Sequence, residues 1–140
     1  MHERKERGGG ERMIYARPAE RVAVVTGASS GIGAATTQCL VEHGFRVHAV
    51  ARRADRLAQL AAEVGCVTHV LDVTESAAVM ALAEEVGNAD VLVNNAGIQH
   101  VAPVEQFPLE SWDKIIALNL SAVFHGTRLA LPGMRTRNWG

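Results

Sequence analysis

Gly27, Gly31 and Gly33 stand in the run TGASSGIG (residues 26–33), directly after the apolar stretch VAVV and directly before a helical pattern. Glycines at a strand–loop–helix junction allow a tight turn, close approach of the backbone to a ligand and close packing of helix on strand. The helix that follows offers unpaired N–H groups and the positive end of its dipole, so a phosphate is the natural ligand. The spacing is G-x-x-x-G-x-G, and no G-x-x-x-x-G-K-[ST] occurs anywhere in the chain, which argues against a triphosphate-cleaving loop. Arg52 and Arg53 follow the next strand-like run, RVHAV, at the point where an acidic residue would bond an adenosine ribose hydroxyl. Guanidinium groups there can instead pair with a 2′-phosphate, and the missing carboxylate removes a repulsion against it. The alternative is two solvated arginines at a helix start.

These residues need a scaffold, and the hydrophobic pattern supplies one. Strands are expected at 22–25, 46–50, 67–71 and 90–93, alternating with helices at about 32–43, 54–64 and 74–86. Gly44, Gly65 and Gly87 are the helix stops, Thr74 is the expected N-cap of the third helix and Asp55 that of the second. A loop with Pro103 and Pro108 leads into a long helical pattern from about Glu110 to Leu131. Four strands joined by helices imply right-handed βαβ units and an α/β, doubly wound parallel sheet of Rossmann type, in the order 3-2-1-4. Ligands of such sheets bind at the carboxyl ends of the strands, beside the switch between strands 1 and 4.

Composition agrees with a globular domain: 48% of residues are apolar, 21% are charged, and the net charge of −1 gives no reason to expect nucleic acid or a membrane surface as partner. Residues 1–20, with alternating charges around Gly8, Gly9 and Gly10, read as a mobile tail, and residues 21–140 as one incomplete dinucleotide-binding domain. The tail has no apolar signal core, and no later run is a continuous apolar stretch of roughly 20 residues. Cys39 and Cys66 are expected to be small buried hydrophobes, and the six histidines lack ligand spacing, so no metal site is expected. Thiols without a signal point to the cytoplasm.

Together with Asn94-Asn95-Ala96-Gly97 after the fourth strand, the glycine loop resembles that of the short-chain dehydrogenase/reductase family, over about residues 21 to 140. The resemblance implies a nicotinamide dinucleotide held by Thr26, Gly27, Ser29, Ser30, Gly31, Ile32 and Gly33 at the loop, Arg52 and Arg53 at the second strand, Asp72 and Val73 after the third, and Asn94, Ala96 and Gly97 after the fourth. Asp72 would bond the adenine amino group. Asn119 lies where the family carries a helix-borne catalytic Asn that supports a proton relay. Asn119 also shares a helical face with Trp112, Ile115, Ile116 and Val123, so a satisfied core Asn is the other reading.

The second half is similar to the 3-hydroxybutyrate dehydrogenase branch, in which a Gln at the position of Gln99 helps hold the substrate carboxylate. That branch uses NAD, whereas the arginine pair favours NADP(H) over NAD(H), so either the branch or the cofactor reading gives way, or the two halves have mixed ancestry; the local arginine chemistry weighs for NADP(H). Arg52→Asp is expected to reverse the preference in a binding titration.

Family chemistry further requires a Tyr as general acid/base, a Lys four residues later that lowers its pKa, and a Ser that orients the substrate carbonyl. The one tyrosine is Tyr15, with Ala19 four residues on, and the only lysines are Lys5 and Lys114. The sequence stops at RTRNWG, before the region where these groups would stand. The resemblance therefore implies an oxidoreductase of which these residues form the cofactor-binding part, inactive alone. A non-catalytic dinucleotide-binding module, or a subunit that mixes into dimers, is the alternative. The fourth strand is expected to be an open edge, and the helix after Pro108 a face for a homo-oligomer.

Overall fold

The computed structural model describes residues 20–140. The expected tail falls outside the described residues except for Glu20. In chain order the elements are β1 (Arg21–Thr26), α1 (Gly31–Glu42), β2 (Phe45–Ala51), α2 (Ala54–Val64), β3 (Val67–Val70), α3 (Ser76–Val86) and β4 (Val91–Val93). A short 3₁₀ turn at Val104–Gln106 precedes α4 (Leu109–Ile116), a π-helical turn (Ala117–Ser121) and α5 (Ala122–Arg137). The sheet runs β3-β2-β1-β4 with every pairing parallel, as the alternation of strands and helices implies.

Strands buried on both faces need apolar residues at every position, not at alternate ones. Ala23, Val25, Val47, Ala49 and Ala51 face one way, against Leu57 and Leu60 of α2 with Ala34, Leu40 and Val41 of α1. Val24 and Val50 face the other way, against Leu82 and Val86 of α3, with Ala89 and Leu92. Helices therefore cover both faces, and β1 lies at the centre of both clusters.

Asp90 secures β1 to β4. Its backbone N–H donates to the Val22 carbonyl, and its Oδ2 accepts the Val22 N–H, both at 2.8 Å. Arg137, at the end of α5, donates to the Ala89 carbonyl at 2.8 Å and lies 3.3 Å from Asp90 Oδ1. Asp90 is buried. Asp90→Ala would leave the Val22 amide without its acceptor and take the carboxylate from the Arg137 guanidinium, which keeps its bond to the Ala89 carbonyl, at a cost of about 1–3 kcal/mol. Thermal unfolding of the variant is expected several degrees below that of the parent; an unchanged midpoint would show that water replaces the carboxylate freely.

Several local expectations are corrected. Thr74 is not the cap of α3, which begins at Ser76 with Glu75 in the capping position. Its N–H and hydroxyl instead donate to Asp72 Oδ1 at 2.9 and 2.8 Å, a local turn that competes with capping. Asp55 lies inside the first turn of α2, and Arg53 takes the capping position. Cys39 is exposed, with its sulfur 3.8 Å from His43 Nδ1, whereas Cys66 packs against the core and burial pushes its thiol pKa up.

The final helix also runs on past Leu131, through Pro132, to a left-handed Asn138. Proline removes one N–H, and here that does not end the helix. The whole run Leu109–Arg137 has the length and hydropathy of a membrane-crossing helix. Asp113, Lys114, Asn119, His125 and Arg128 interrupt its apolar residues, and α5 packs beside α3 and β4 as a layer helix does.

Candidate functional site

The carboxyl ends of β1 and β4 meet where the chain leaves both strands. Gly27 has φ +66°, and a Cβ there would lie 2.8 Å from the Ala96 Cα and 2.9 Å from Asn95 Nδ2. A side chain at Gly33 would collide with the Gly27 carbonyl and with Asn95. These two glycines are thus required by contact between the loop and the chain after β4. Gly31 differs: its φ is +54°, and open space surrounds the position of its missing Cβ. The left-handed turn, rather than a neighbouring atom, favours glycine there.

Two side chains sew this junction. The Thr26 hydroxyl donates to the Val93 carbonyl at 3.3 Å and accepts the N–H groups of Asn95 and Ala96, each at 3.1 Å. Asn95 Nδ2 donates to the carbonyls of Thr26 and Gly27 at 3.0 and 3.2 Å. Asn95→Ala removes both of these bonds, and at about 1 kcal/mol each the loss should approach 2 kcal/mol. Proteolysis at the 27–30 loop is expected to accelerate in that variant; an unaltered cleavage rate would show that Thr26 alone fixes the loop.

On the far side of the loop, Arg53 donates through Nε and Nη2 to Ser29 Oγ at 3.3 and 3.0 Å, and through Nη2 to Ser30 Oγ at 2.9 Å. Ser30 precedes α1 and makes no capping bond to it, so the first N–H groups of the helix remain available. Arg52 is exposed next to it. The Asp72 carboxyl lies below the usual carboxylate range, chiefly because the Thr74 amide donates to it; the Thr74 hydroxyl and the Arg52 charge add to this, and partial burial opposes it.

Asn119 sits in the π-helical turn between α4 and α5. Its Oδ1 accepts the Ile98 N–H at 3.0 Å and its Nδ2 donates to the Ile98 carbonyl at 2.8 Å. The amide is satisfied, but not in a core: Asn119 is exposed, and Trp112, on the face they were expected to share, is 54% exposed. The extra residue in the π turn shifts the helical period between them.

A crevice of about 210 Å³ collects these parts, lined by Gly27, Ser29, Ser30, Arg52, Arg53, Val73, Ala96 and Gly97, with Val50, Ala51, Ile98 and Leu118. Asp72 adjoins Val73 at one end, and Gly31, Ile32 and Gly33 open α1 beside the loop. Thr26 and Asn119 do not line it but hold its walls through the bonds above, and two further expected site residues stand apart. Asn94 turns towards α5, where its Nδ2 donates to Thr127 Oγ1 at 3.3 Å. Gln99 is exposed and does not line the crevice. Asn95, Ile98 and Leu118 were absent from the expected set. A smaller cavity of about 60 Å³, between the sheet and helices α3 and α5, is lined by groups such as Val79, Leu82, Leu92 and Leu129 and holds no titratable side chain. Among the described residues no cluster of three metal-ligating side chains occurs.

Comparison with known proteins agrees with this geometry. A family model described as short chain dehydrogenase matches residues 21–140. The chain is 44% identical to a D-beta-hydroxybutyrate dehydrogenase of Cupriavidus necator, covering 86% of this chain and 50% of that protein. It is 36% identical to an NADP-dependent 3-hydroxy acid dehydrogenase of Shigella flexneri, covering 85% and 51%. Among solved structures, a metagenomic short-chain oxidoreductase in complex with NADP is similar at 37% identity and a TM-score of 0.81, over 86% of this chain and 59% of that one. The closed form of a serine dehydrogenase complexed with NADP⁺ is similar at 36% identity and the same TM-score of 0.81, over 85% and 51%. The chain spans about half the length of the curated relatives it matches. A match running from the first residue of β1 to Gly140, over a parallel 3-2-1-4 sheet with a glycine-lined crevice at its switch point, has one meaning: the chain belongs to the short chain dehydrogenase family.

Proposed function

We propose that the crevice binds a nicotinamide dinucleotide and prefers NADP(H) to NAD(H), as the cofactor-holding part of a short-chain oxidoreductase. The observation that carries this reading is Arg53 drawn against Ser29 and Ser30 at the tip of β2, with Arg52 beside it and no carboxylate in the Ala51–Arg53 segment. Two guanidinium groups and two hydroxyls offer donors to a phosphate ester, and no carboxylate stands there to accept from a ribose diol. The loop fits the rest of the cofactor. Gly27 and Gly33 let the loop close against the chain after β4, and Gly31 exposes backbone at the start of α1 for a pyrophosphate. Asp72 and Val73 would flank the adenine, with Ala96 and Gly97 along the other wall. The cofactor, when bound, supplies the hydride acceptor or donor.

The chain's own contribution to chemistry is Asn119. Its clasp on Ile98 fixes the backbone just beyond Gly97, so it orients the wall of the site rather than moving a proton by itself. Its proton-relay role, the part of Gln99 in holding the carboxylate of a short 3-hydroxy acid, and hydride transfer all require a Tyr-x-x-x-Lys pair and a Ser, and the 140 residues contain no such pair. Similarity to both a D-beta-hydroxybutyrate dehydrogenase and an NADP-dependent 3-hydroxy acid dehydrogenase supports that substrate class for the whole enzyme.

A second reading, binding without turnover in an oligomer, is favoured by Trp112, Leu120 and Phe124, each more than half exposed along α4, the π turn and α5. Titration of the chain with NADPH and NADH, followed by cofactor fluorescence, tests the first reading. Tighter binding of NADPH is expected, and absence of binding to either would refute it. Sedimentation of the same samples tests the second, since a monomer at all concentrations would exclude it.

A further inference from the structure

His48 on β2 and His69 on β3 lie on the sheet face that packs against α3. The register pairs His48 with Val67 and Val50 with His69, which makes the two histidines diagonal neighbours. His48 Nδ1 and His69 Nε2 are 2.8 Å apart, with ring centroids at 5.1 Å. His69 Nδ1 lies 3.8 Å from Glu85 Oε2 on α3. His48 is buried, as is the His69 side chain, while the Glu85 side chain is exposed.

A hydrogen bond between two imidazoles needs one N–H and one bare nitrogen. Glu85 favours a proton on His69 Nδ1, which leaves Nε2 as acceptor and His48 Nδ1–H as donor. One added proton is compatible with this bond, because the donor and acceptor can exchange. A second turns both facing nitrogens into donors and places two positive charges in contact in a site largely closed to water. We propose that His48, His69 and Glu85 form an acid-sensitive clasp that holds the edge strand β3 to the sheet and releases it when both imidazoles are protonated.

The surroundings favour release over accommodation. The His48 pKa is lowered first by burial, then by the His69 and Arg46 charges; Glu85 and Glu20 oppose this. From β1 the facing residue is Val24, which carries no charge. Where a histidine pKa is lowered in the fold, the unfolded or opened chain binds more protons. Stability is then complete above about 6.5 and falls as pH drops through that value towards the folded pKa. β3 has four residues and one paired side, against seven residues and two paired sides in β2, so of the two strands it is the less able to absorb the loss. It leads through Leu71, whose N–H donates to the Ala51 carbonyl at 3.0 Å, to Asp72 and Val73. Release of β3 therefore loosens one wall of the crevice.

Amide hydrogen exchange of the 140-residue chain between pH 7.5 and 5.0 tests the clasp, read as protection relative to an unstructured chain at each pH. Protection of the β3 amides is expected to fall by up to about tenfold per pH unit, the limit for one proton, while that of β1 falls less. His48→Asn puts a non-titrating amide donor where Nδ1 stood, and β3 protection in that variant is expected to be flat. Constant protection in the parent, or an equal fall in His48→Asn, overturns the proposal. Should His48→Asn fail to fold, the NMR titration of the His48 ring in the parent decides: a midpoint below the ordinary histidine value supports the clasp, and one at or above it overturns it.

Discussion

Gly33→Ala is expected to lower the unfolding midpoint by about 7 °C and to abolish dinucleotide binding, although alanine is the better helix former. Gly33 lies in the first turn of α1, where replacement should gain up to about 1 kcal/mol of helix propensity. Opposing this, the new methyl would overlap the Gly27 carbonyl carbon, at 2.8 Å, and press on Asn95 Nδ2. Neither neighbour is a free side-chain end. Gly27 is backbone, and Asn95 is tied to the carbonyls of Thr26 and Gly27. Overpacking against fixed groups costs about 3 kcal/mol, so the net loss is near 2 kcal/mol. Gly31→Ala is the informative contrast. No atom stands within 4 Å of its added methyl, and the cost is limited to about 1 kcal/mol for a left-handed residue at φ +54°. If a pyrophosphate lies over that backbone, Gly31→Ala loses binding out of proportion to stability, whereas Gly33→Ala loses both together. Equal melting of Gly33→Ala and the parent would show that the loop and the chain after β4 are not in firm contact.

The strand order and both helix layers follow from short, mostly apolar runs separated by helical ones, and the crevice follows from the glycines between them. What periodicity could not convey lies in single atoms. Asn94 and Asn95 are identical and adjacent, yet successive side chains at a strand end point to opposite sides. Asn95 meets the glycine loop and Asn94 meets Thr127, and nothing in the pair distinguishes them. Thr74 has the right type and position for a helix cap, in which its hydroxyl would accept a backbone N–H, but its N–H and hydroxyl donate to Asp72 two residues earlier instead. Asn119 and Trp112 share a face only on a regular helix, and one π turn separates them. The helical pattern reads only to about Leu131, yet α5 continues through Pro132 to Arg137, whose guanidinium reaches Asp90. Each miss turns on local backbone geometry or on a single hydrogen bond, which the composition of a segment does not decide.

Arg53→Ala is expected to weaken NADPH binding by about 10- to 100-fold while leaving NADH within about threefold, the size of one or two charge-assisted hydrogen bonds. Without ligand, the Arg53 guanidinium is engaged with the hydroxyls of Ser29 and Ser30. Each of those bonds joins a cation to a neutral oxygen in an exposed position, worth about 1 kcal/mol, and a phosphate monoester near neutral pH carries close to two negative charges. Exchange of hydroxyl for phosphate is therefore favourable, and the two serines, once released, can donate to the same oxygens. Because Arg52 and Arg53 are exposed, salt should erode the preference, with a smaller NADPH/NADH ratio at 1 M than at 0.1 M ionic strength as the screening length falls from about 10 to about 3 Å. Arg52→Asp acts differently. It places a carboxylate at the tip of β2, repels the phosphate and offers an acceptor to a ribose diol, so the preference should reverse rather than merely fade. The decisive comparison is between cofactors within one variant. If Arg53→Ala weakens NADPH and NADH alike, its work is to hold Ser29 and Ser30 in place, and the arginine does not read the phosphate at all.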